Sequence, residues 1–382
     1  MELTRLQQEP AGVTALVKEA DGELKRIAAD YVVGCDGAHS RVRHEIGLSF
    51  DGQAYDEDWL LADVHMDWTW PEDEVHALFR SRGAPMICFP MRDSLWRIVL
   101  PYAGNRARRA PSLEEIQQLV DERAPVSVRL SNATWLANFR CHRRSTHEYR
   151  RGRVMLAGDA VHVHSPAGGQ GMNTGIMDAH NLAWKLALVA TRRAADTLLD
   201  SYAEERGPVA KQVLELTHAL VGMATLHEPL KRKVRDMLLP VASSLPLVQR
   251  RAVRRLSQVH VSYHRSSLTR RARSWAGLRP GDRAPDLPVV VRGRGTRLYE
   301  ALRETRHILL LPPGSNARCF AEFRDVTGVV CRSLKGTPWL VRPDGYLAAR
   351  GVADITAYLR SVFTEPNGGH AFVLPTARLA DT

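Results

Sequence analysis

Residues 12–20, GVTALVKEA, alternate loosely between apolar and polar, and Asp21–Gly22 is a hairpin turn signal ahead of ELKRIAADYVVGCDG. The stretch from Ile27 to Val33 predicts two strands, the second (YVVGCD) apolar enough to be buried, with Asp36 at its carboxyl end. Between 59 and 102 the runs WLLADVHMDW, PMICFPM and WRIVLPY read as strands, with RDS as the turn between the last two. Ser112 and Glu115 form a capping box that opens a helix with Ile116, Leu119 and Val120 on one face. RVMLAG (153–158) is a short strand ending at Asp159. From about Asn173 to Arg193, Ile176, Ala179, Leu182, Ala183, Leu186 and Val189 recur at helical spacing, which predicts a helix packed firmly through that stripe. Residues 196–275 read as largely helical, and RPGDRAPDLP (279–288) marks a domain boundary. Beyond it, HILLLPP and PWLVRPDGYLAARG, the latter a hairpin on Asp344–Gly345, alternate with helical stretches as in a small α/β domain.

The bulk numbers narrow the class. A chain of 382 residues with 44% apolar and 25% charged residues has room for two or three globular domains. It holds no apolar run long enough for a membrane span, and its polar start, MELTRLQQEP, carries no secretory signal pattern. Cys35, Cys88, Cys141, Cys319 and Cys331 never form C-x-x-C, which favours a reducing, cytoplasmic setting. The net charge of +11 is concentrated between Gly207 and Trp275, where thirteen Lys and Arg face three acids. With aromatics at 7% and not interleaved with those arginines, the segment reads as a solvated helical face, and no nucleic-acid partner is expected.

The candidate chemistry lies in GDAVHVHSPAGGQGMN (158–173). An Asp at the end of a buried strand sits where open α/β sheets bind ligands, and its carboxylate suits sugar hydroxyls. The glycines allow close backbone approach to a flat ligand and lead into a helix start with unpaired N–H groups. That combination suits a ligand with hydroxyls at one end and developing negative charge at the other, as a flavin has. His162 and His164 have metal-ligand spacing but no evident third ligand, so no metal is expected.

GRVMLAGDAVHVHSPAGGQGMNTGIMDAHNLAWKLA (152–187) resembles the second flavin signature of the class A flavoprotein monooxygenases, the p-hydroxybenzoate hydroxylase-like aromatic hydroxylases. YVVGCDGAHSRVR (31–43) resembles their D-G motif, and LLDSYAEERGPVAKQVLELTH (198–218) the helix that follows. The tail from about residue 280 is similar to the thioredoxin-like C-terminal domain of the phenol and polyketide hydroxylase subgroup; without C-x-x-C it should be structural. The resemblance implies an α/β FAD- and NAD(P)-binding fold with a partial FAD-binding domain (1–48 and 140–195), a substrate-covering β-sheet (49–139), a helical segment (196–278) and a thioredoxin-like domain (279–382). It implies that Gly158 and Asp159 meet the ribityl chain, and that Pro166 and the backbone of Gly168, Gly169, Gly171, Met172 and Asn173 line the flavin ring. Asp36 and Gly37 would lie near the pyrophosphate and help nicotinamide binding, with Arg43 supporting that loop. The implied reaction reduces FAD with NADPH or NADH and uses O₂ to hydroxylate a small aromatic substrate; the cofactor carries the hard step, and no side chain is assigned as acid or base. A homo-oligomer is compatible with this reading.

A complete member of such a family opens with a strand–turn–helix bearing G-x-G-x-x-G, which this sequence lacks; its first residues already read as strands ahead of the D-G motif. The expectation is a fold without that N-terminal unit, its strand YVVGC laid open at a sheet edge. Two alternatives accompany the monooxygenase reading: a non-catalytic remnant acting as a binding or interaction protein, and a flavin dehydrogenase of related fold.

Overall fold

The computed structural model describes residues 1–78, 85–102, 110–226, 228–269, 277–315, 318–323 and 325–363. Residues 270–275 of the basic segment and 364–382 of the expected C-terminal domain lie outside these. The alternating start forms a three-stranded antiparallel sheet of β1 (Glu2–Glu9), β2 (Gly12–Lys18) and β3 (Leu24–Ala29), with β2 and β3 joined across Asp21–Gly22. Then come β4 (Val32–Gly34) and the short helix α1 (Arg41–Glu45). The long strand β5 (Asp51–Asp67), β6 (His76–Leu78), β7 (Met86–Pro90) and β8 (Leu95–Tyr102) follow. Arg92–Ser94 forms the tight turn between β7 and β8, as the RDS signal predicts. Helix α2 (Leu113–Arg123) starts at the Ser112–Glu115 capping box, with both reciprocal hydrogen bonds present and Ile116 and Val120 buried.

The second long strand, β9 (Arg129–Ser145), leads to the short β10 (Arg150–Arg151), β11 (Val154–Leu156) and β12 (His162–Val163). Four helices follow: α3 (Gly171–Ala190), α4 (Asp200–Ala224), α5 (Pro229–Ser244) and α6 (Pro246–Leu256). The helical reading of 196–275 therefore ends at Leu256, with turns and coil over 257–269. One six-stranded sheet runs β12-β9-β5-β8-β7-β6 and is built on the antiparallel pair β5–β9. A three-stranded sheet runs β10-β11-β4, with β11 parallel to β4. Strand β4 is its edge, and Val32 and Val33 are only half-buried; this corrects the expectation of a buried strand, because one flank of β4 has no neighbour among the described residues.

The C-terminal part contains β13 (Pro288–Val291), β14 (Arg294–Arg297), α7 (Leu298–Ala301), β15 (His307–Leu311), β16 (Val326–Val330), β17 (Trp339–Val341), β18 (Leu347–Arg350) and α8 (Val352–Val362). Its mixed sheet runs β14-β13-β16-β15-β17-β18, and Arg342–Tyr346 closes the β17–β18 hairpin around Asp344–Gly345. This sheet does not stand apart. Leu182, Trp184 and Leu188 of α3 share one hydrophobic core with Leu309, Leu340, Ile355 and Tyr358.

A buried charge cluster crosses the same junction. Glu205 of α4 accepts from Lys185 Nζ at 2.8 Å and from Arg342 Nη2 at 2.8 Å, while Asn181 Nδ2 donates to it at 2.7 Å. Arg342 also grips Asp344, to which Trp184 Nε1 donates at 3.2 Å. Burial pushes the Lys185 ammonium down, to about 8, with Glu205 working in the opposite direction. Burial would push Glu205 up, but the cations Arg342 and Lys185 reverse it and hold the carboxyl well below its ordinary range. Removing one partner of such a cluster strands a buried charge, at a typical cost of about 3–5 kcal/mol.

His307, fully buried beside Tyr358, has its pKa pushed down to about 3 by burial and then by Arg342. The unfolded chain takes up a proton on this histidine near its ordinary value of about 6.5, whereas the folded chain does not until about pH 3. The unfolded state therefore binds more protons between those values, and stability falls as the pH drops through that window. Unfolding titrations at pH 7 and pH 5 should show a loss of about 2 kcal/mol traceable to His307, removed in His307→Gln. An unchanged pH slope in that variant would contradict the assignment.

Candidate flavin site

Strands β11 and β4 lie parallel and deliver their carboxyl ends to one point, where Ala157 N donates to Gly34 O at 3.0 Å. Past β11 the chain turns at Gly158, and α3 begins thirteen residues later on the same side. The two are in close contact: a Cβ on Gly175 would lie 3.2 Å from the Gly158 Cα. Together they wall a cavity of about 830 Å³ lined by Gly37, Phe139, Asp159, His164, Gly171 and Met172, among others.

The sequence-predicted residues divide here. Gly37, Gly158, Asp159, Pro166, Gly169, Gly171 and Met172 line the cavity. Asp36 does not: its carboxylate accepts from Ser40 Oγ and, at 3.1 Å, from Val42 N, fixing the start of α1. Arg43 is buried behind the lining, where it donates to Ala160 O at 2.9 Å and Ala38 O at 2.8 Å. It therefore ties the D-G loop to the Asp159 turn. Gly168 packs toward Leu220 and Leu256, and Asn173 lies in the first turn of α3 without lining the cavity.

Helix α3 corrects the expected packing. Ile176, Ala179 and Ala183 of the predicted stripe are exposed, and Ile176 and Ala179 wall the cavity instead. Leu182 and Val189 of the stripe are buried, but a polar stripe is buried beside them, with Thr174, Asp178, Asn181 and Lys185 directed into the protein. Asp178 accepts from His162 Nε2 at 2.8 Å, Arg206 Nε at 2.7 Å and Gly158 N at 3.3 Å. Burial alone would raise its pKa, but His162 and Arg206 reverse this and hold it below the ordinary carboxylate range. The Gly158–Asp159 turn is thus pinned from beneath by an ionised buried Asp. No side chain caps α3, and its first turn contains no acid, so the N–H groups of Gly171–Asn173 are open to an anionic ligand.

His164 adds a polar atom. Its Nδ1 donates to the Ser165 carbonyl at 2.8 Å, which leaves Nε2 as an acceptor, buried and without a partner, near Gly171. Burial pushes the His164 pKa down, so the neutral ring is favoured. An acidic side chain, an uncapped helix start, apolar walls and an orphaned acceptor around one roomy cleft fit a flavin nucleotide.

Sequence reasoning also missed a basic cluster behind the D-G loop. Arg43 Nε, His142 Nδ1 and Arg144 Nε are all buried and without partners. Burial, then Arg144 and His39, push the His142 pKa down. On the other face of the long sheet, Trp59, Val99, Cys141 and Val221 form a buried apolar cluster against which Phe89, Phe139 and Ala167 of the glycine loop pack. Phe139 belongs to both cluster and cleft.

Gly175→Ala should crowd the Gly158 backbone and lower stability by about 1–3 kcal/mol, with thermal unfolding followed by circular dichroism as the readout. Loss of FAD retention should accompany it; a variant with native stability and native FAD binding would show the close approach to be dispensable.

Comparison with known proteins agrees with this geometry. Residues 1–217 match the FAD binding domain family, and residues 278–366 match the aromatic-ring hydroxylase C-terminal family. The chain is 34% identical to a rifampicin monooxygenase of Streptomyces venezuelae, over 91% of this chain and 70% of that protein. It is 33% identical to a pentachlorophenol 4-monooxygenase of Sphingobium chlorophenolicum, over 90% of this chain and 63% of that protein. Among solved structures, an anhydrotetracycline hydroxylase from Streptomyces rimosus superposes with a TM-score of 0.76 at 29% identity, covering 96% of this chain and 75% of that one. With an FAD binding domain and an aromatic-ring hydroxylase C-terminal domain matched in one polypeptide, the chain belongs to the FAD-dependent aromatic-ring monooxygenases.

Proposed function

We propose that this chain binds FAD in the cleft at the start of α3 and hydroxylates a phenolic or polyketide-type aromatic held against the adjoining apolar cluster. One observation carries this reading: Phe139 lines the cleft and packs against that cluster, so a flat ring bound in the cleft would border apolar side chains. Bound FAD would supply the redox chemistry, accepting electrons from NAD(P)H and using O₂ to oxygenate the ring. The protein's own part is binding, orientation and electrostatics. The Asp159 carboxylate would accept hydrogen bonds from hydroxyls of the ribityl chain. The open N–H groups of α3 would stabilise negative charge on the reduced ring. The orphaned donors of Arg43, His142 and Arg144 would receive phosphate oxygens of the dinucleotides. The apolar cluster would hold the aromatic against the flavin side of the sheet and keep water out, with the partnerless Trp59 indole N–H as an orienting donor. Its apolar side chains suit a phenol such as the one named for a relative. The five free cysteines favour a reducing compartment, for which we propose the cytoplasm.

The test is spectroscopic. Protein mixed with excess FAD and freed of unbound cofactor should retain a flavin spectrum that bleaches with NAD(P)H under nitrogen and returns in air. Asp159→Ala should weaken FAD binding by about tenfold or more, since hydrogen bonds to a charged group are lost. A colourless wild-type protein would overturn the reading; a flavin that is reduced but never reoxidised by air would favour a dehydrogenase.

A further inference from the structure

A second cavity of about 270 Å³ opens between the β5–β9 pair and α4, lined in part by Gln53, Tyr55, Arg143, His218 and Gly222. Val221 lines it too and belongs to the apolar cluster, against which the partly buried Tyr55 packs, so the cavity borders that cluster. We propose that this cavity is an anion-binding subsite that holds the acidic end, a carboxylate or an enolate, of a planar aromatic substrate. The proposal rests on reading the substrate as bound beside that cluster, and names the class of substrate it takes.

Arg143 is the first reason. Two other arginines of this sheet are spent on strand acids: Arg97 pairs with Asp63 and Arg140 with Asp58, both at 2.8 Å. Among the described residues, the half-buried Arg143 side chain has no hydrogen-bond or ion-pair partner, and no acid lines its cavity. A guanidinium is always charged, and a partly desolvated charge gains from a counter-ion. Its planar fork matches the two oxygens of a carboxylate or of a β-dicarbonyl enolate.

Neighbouring groups complete an acceptor and donor set. Gln53 pairs directly with Arg143 across the β5–β9 ladder, which places both side chains on one face. Tyr55 hydroxyl and His218 Nδ1 lie 3.2 Å apart, joining the strand to α4. The second reason is space. Gly222 sits within α4 at a point where an added Cβ would meet nothing within 4 Å, at a cost of about 1 kcal/mol in helix propensity relative to Ala. The α4 side of the cavity is therefore bare backbone at Gly222, facing a cavity that also holds the unpaired cation, while the cluster bordering it is apolar. Together they fit an amphiphile: an aromatic body with an acidic end.

The test uses the full FAD-treated chain and two probes, 1-hydroxy-2-naphthoate and neutral 1-naphthol, with binding followed by tryptophan fluorescence. The acid should bind about tenfold or more tightly than the naphthol, as expected for a charge-assisted pair. Arg143→Gln should erase that preference without changing naphthol affinity, and Arg143→Lys should restore it in part. Gly222→Leu should fill the cavity and weaken the acid while leaving the charge in place. Equal binding of the two probes, binding of neither, or a preference that survives Arg143→Gln would overturn the subsite. Flavin absorbance of the same samples reports separately on the cofactor, so failure of one reading is not confused with failure of the other.

Discussion

Two consecutive residues of α4 hold most of this structure together. Glu205 faces Lys185 and Arg342; Arg206 faces Asp178, Tyr263 and the carbonyl of Thr174. All six of the side chains among these, apart from Thr174, are charged or phenolic and buried, so each must be satisfied by another that arrives from elsewhere in the chain. One cluster locks the C-terminal sheet onto α3 and α4. The other holds Asp178 ionised beneath the Gly158–Asp159 turn. Because both begin on the same turn of one helix, the flavin cleft and the C-terminal domain share a foundation. A domain far in sequence from the cofactor signature thereby becomes part of what positions it.

That architecture explains which parts of the fold could be read in the sequence. Local rules served well where the chemistry is local: the Ser112–Glu115 box, the Arg92–Ser94 turn and the Asp21–Gly22 hairpin each depend on neighbours within a few residues. They served α3 only in part. Leu182 and Val189 are buried where apolar periodicity places them, but Ile176, Ala179 and Ala183 are exposed, and Thr174, Asp178, Asn181 and Lys185 follow the same helical spacing and are buried. The signal was present as a second, polar stripe. Its partners stand at 162, 205, 206, 342 and 344, and only the tertiary fold reveals them.

Under the proposed function the exposed stripe has a use of its own. Met172 is 76% exposed and Ile176 is 56% exposed, and both border the cleft beside the uncapped helix start. Apolar area beside unpaired N–H groups is a poor surface for water but a good one for a heterocycle with a polar edge. The glycine signature could be recognised because it is contiguous. The apolar wall beside it was misread because a cofactor cleft and a protein core make the same demand on a side chain.

The run CHRR at 141–144 shows the same limit in a strand. As a string it reads as undifferentiated positive charge, but β9 sends alternate residues to opposite faces. Cys141 and Arg143 lie on the face of the apolar cluster with Phe139, whereas His142 and Arg144 act on the basic cluster behind the D-G loop. A one-residue slip of β9 would exchange the two sets, placing Arg143 by the D-G loop and leaving His142 toward the apolar cluster. The long β5–β9 ladder resists that slip with pairs from Asp51–Ser145 to Asp67–Arg129; Gln53–Arg143 and Gly52–Arg144 pair in unbroken register just ahead of a bulge that begins at Ala54. Register, more than composition, is what lets a single strand serve two chemically different spaces.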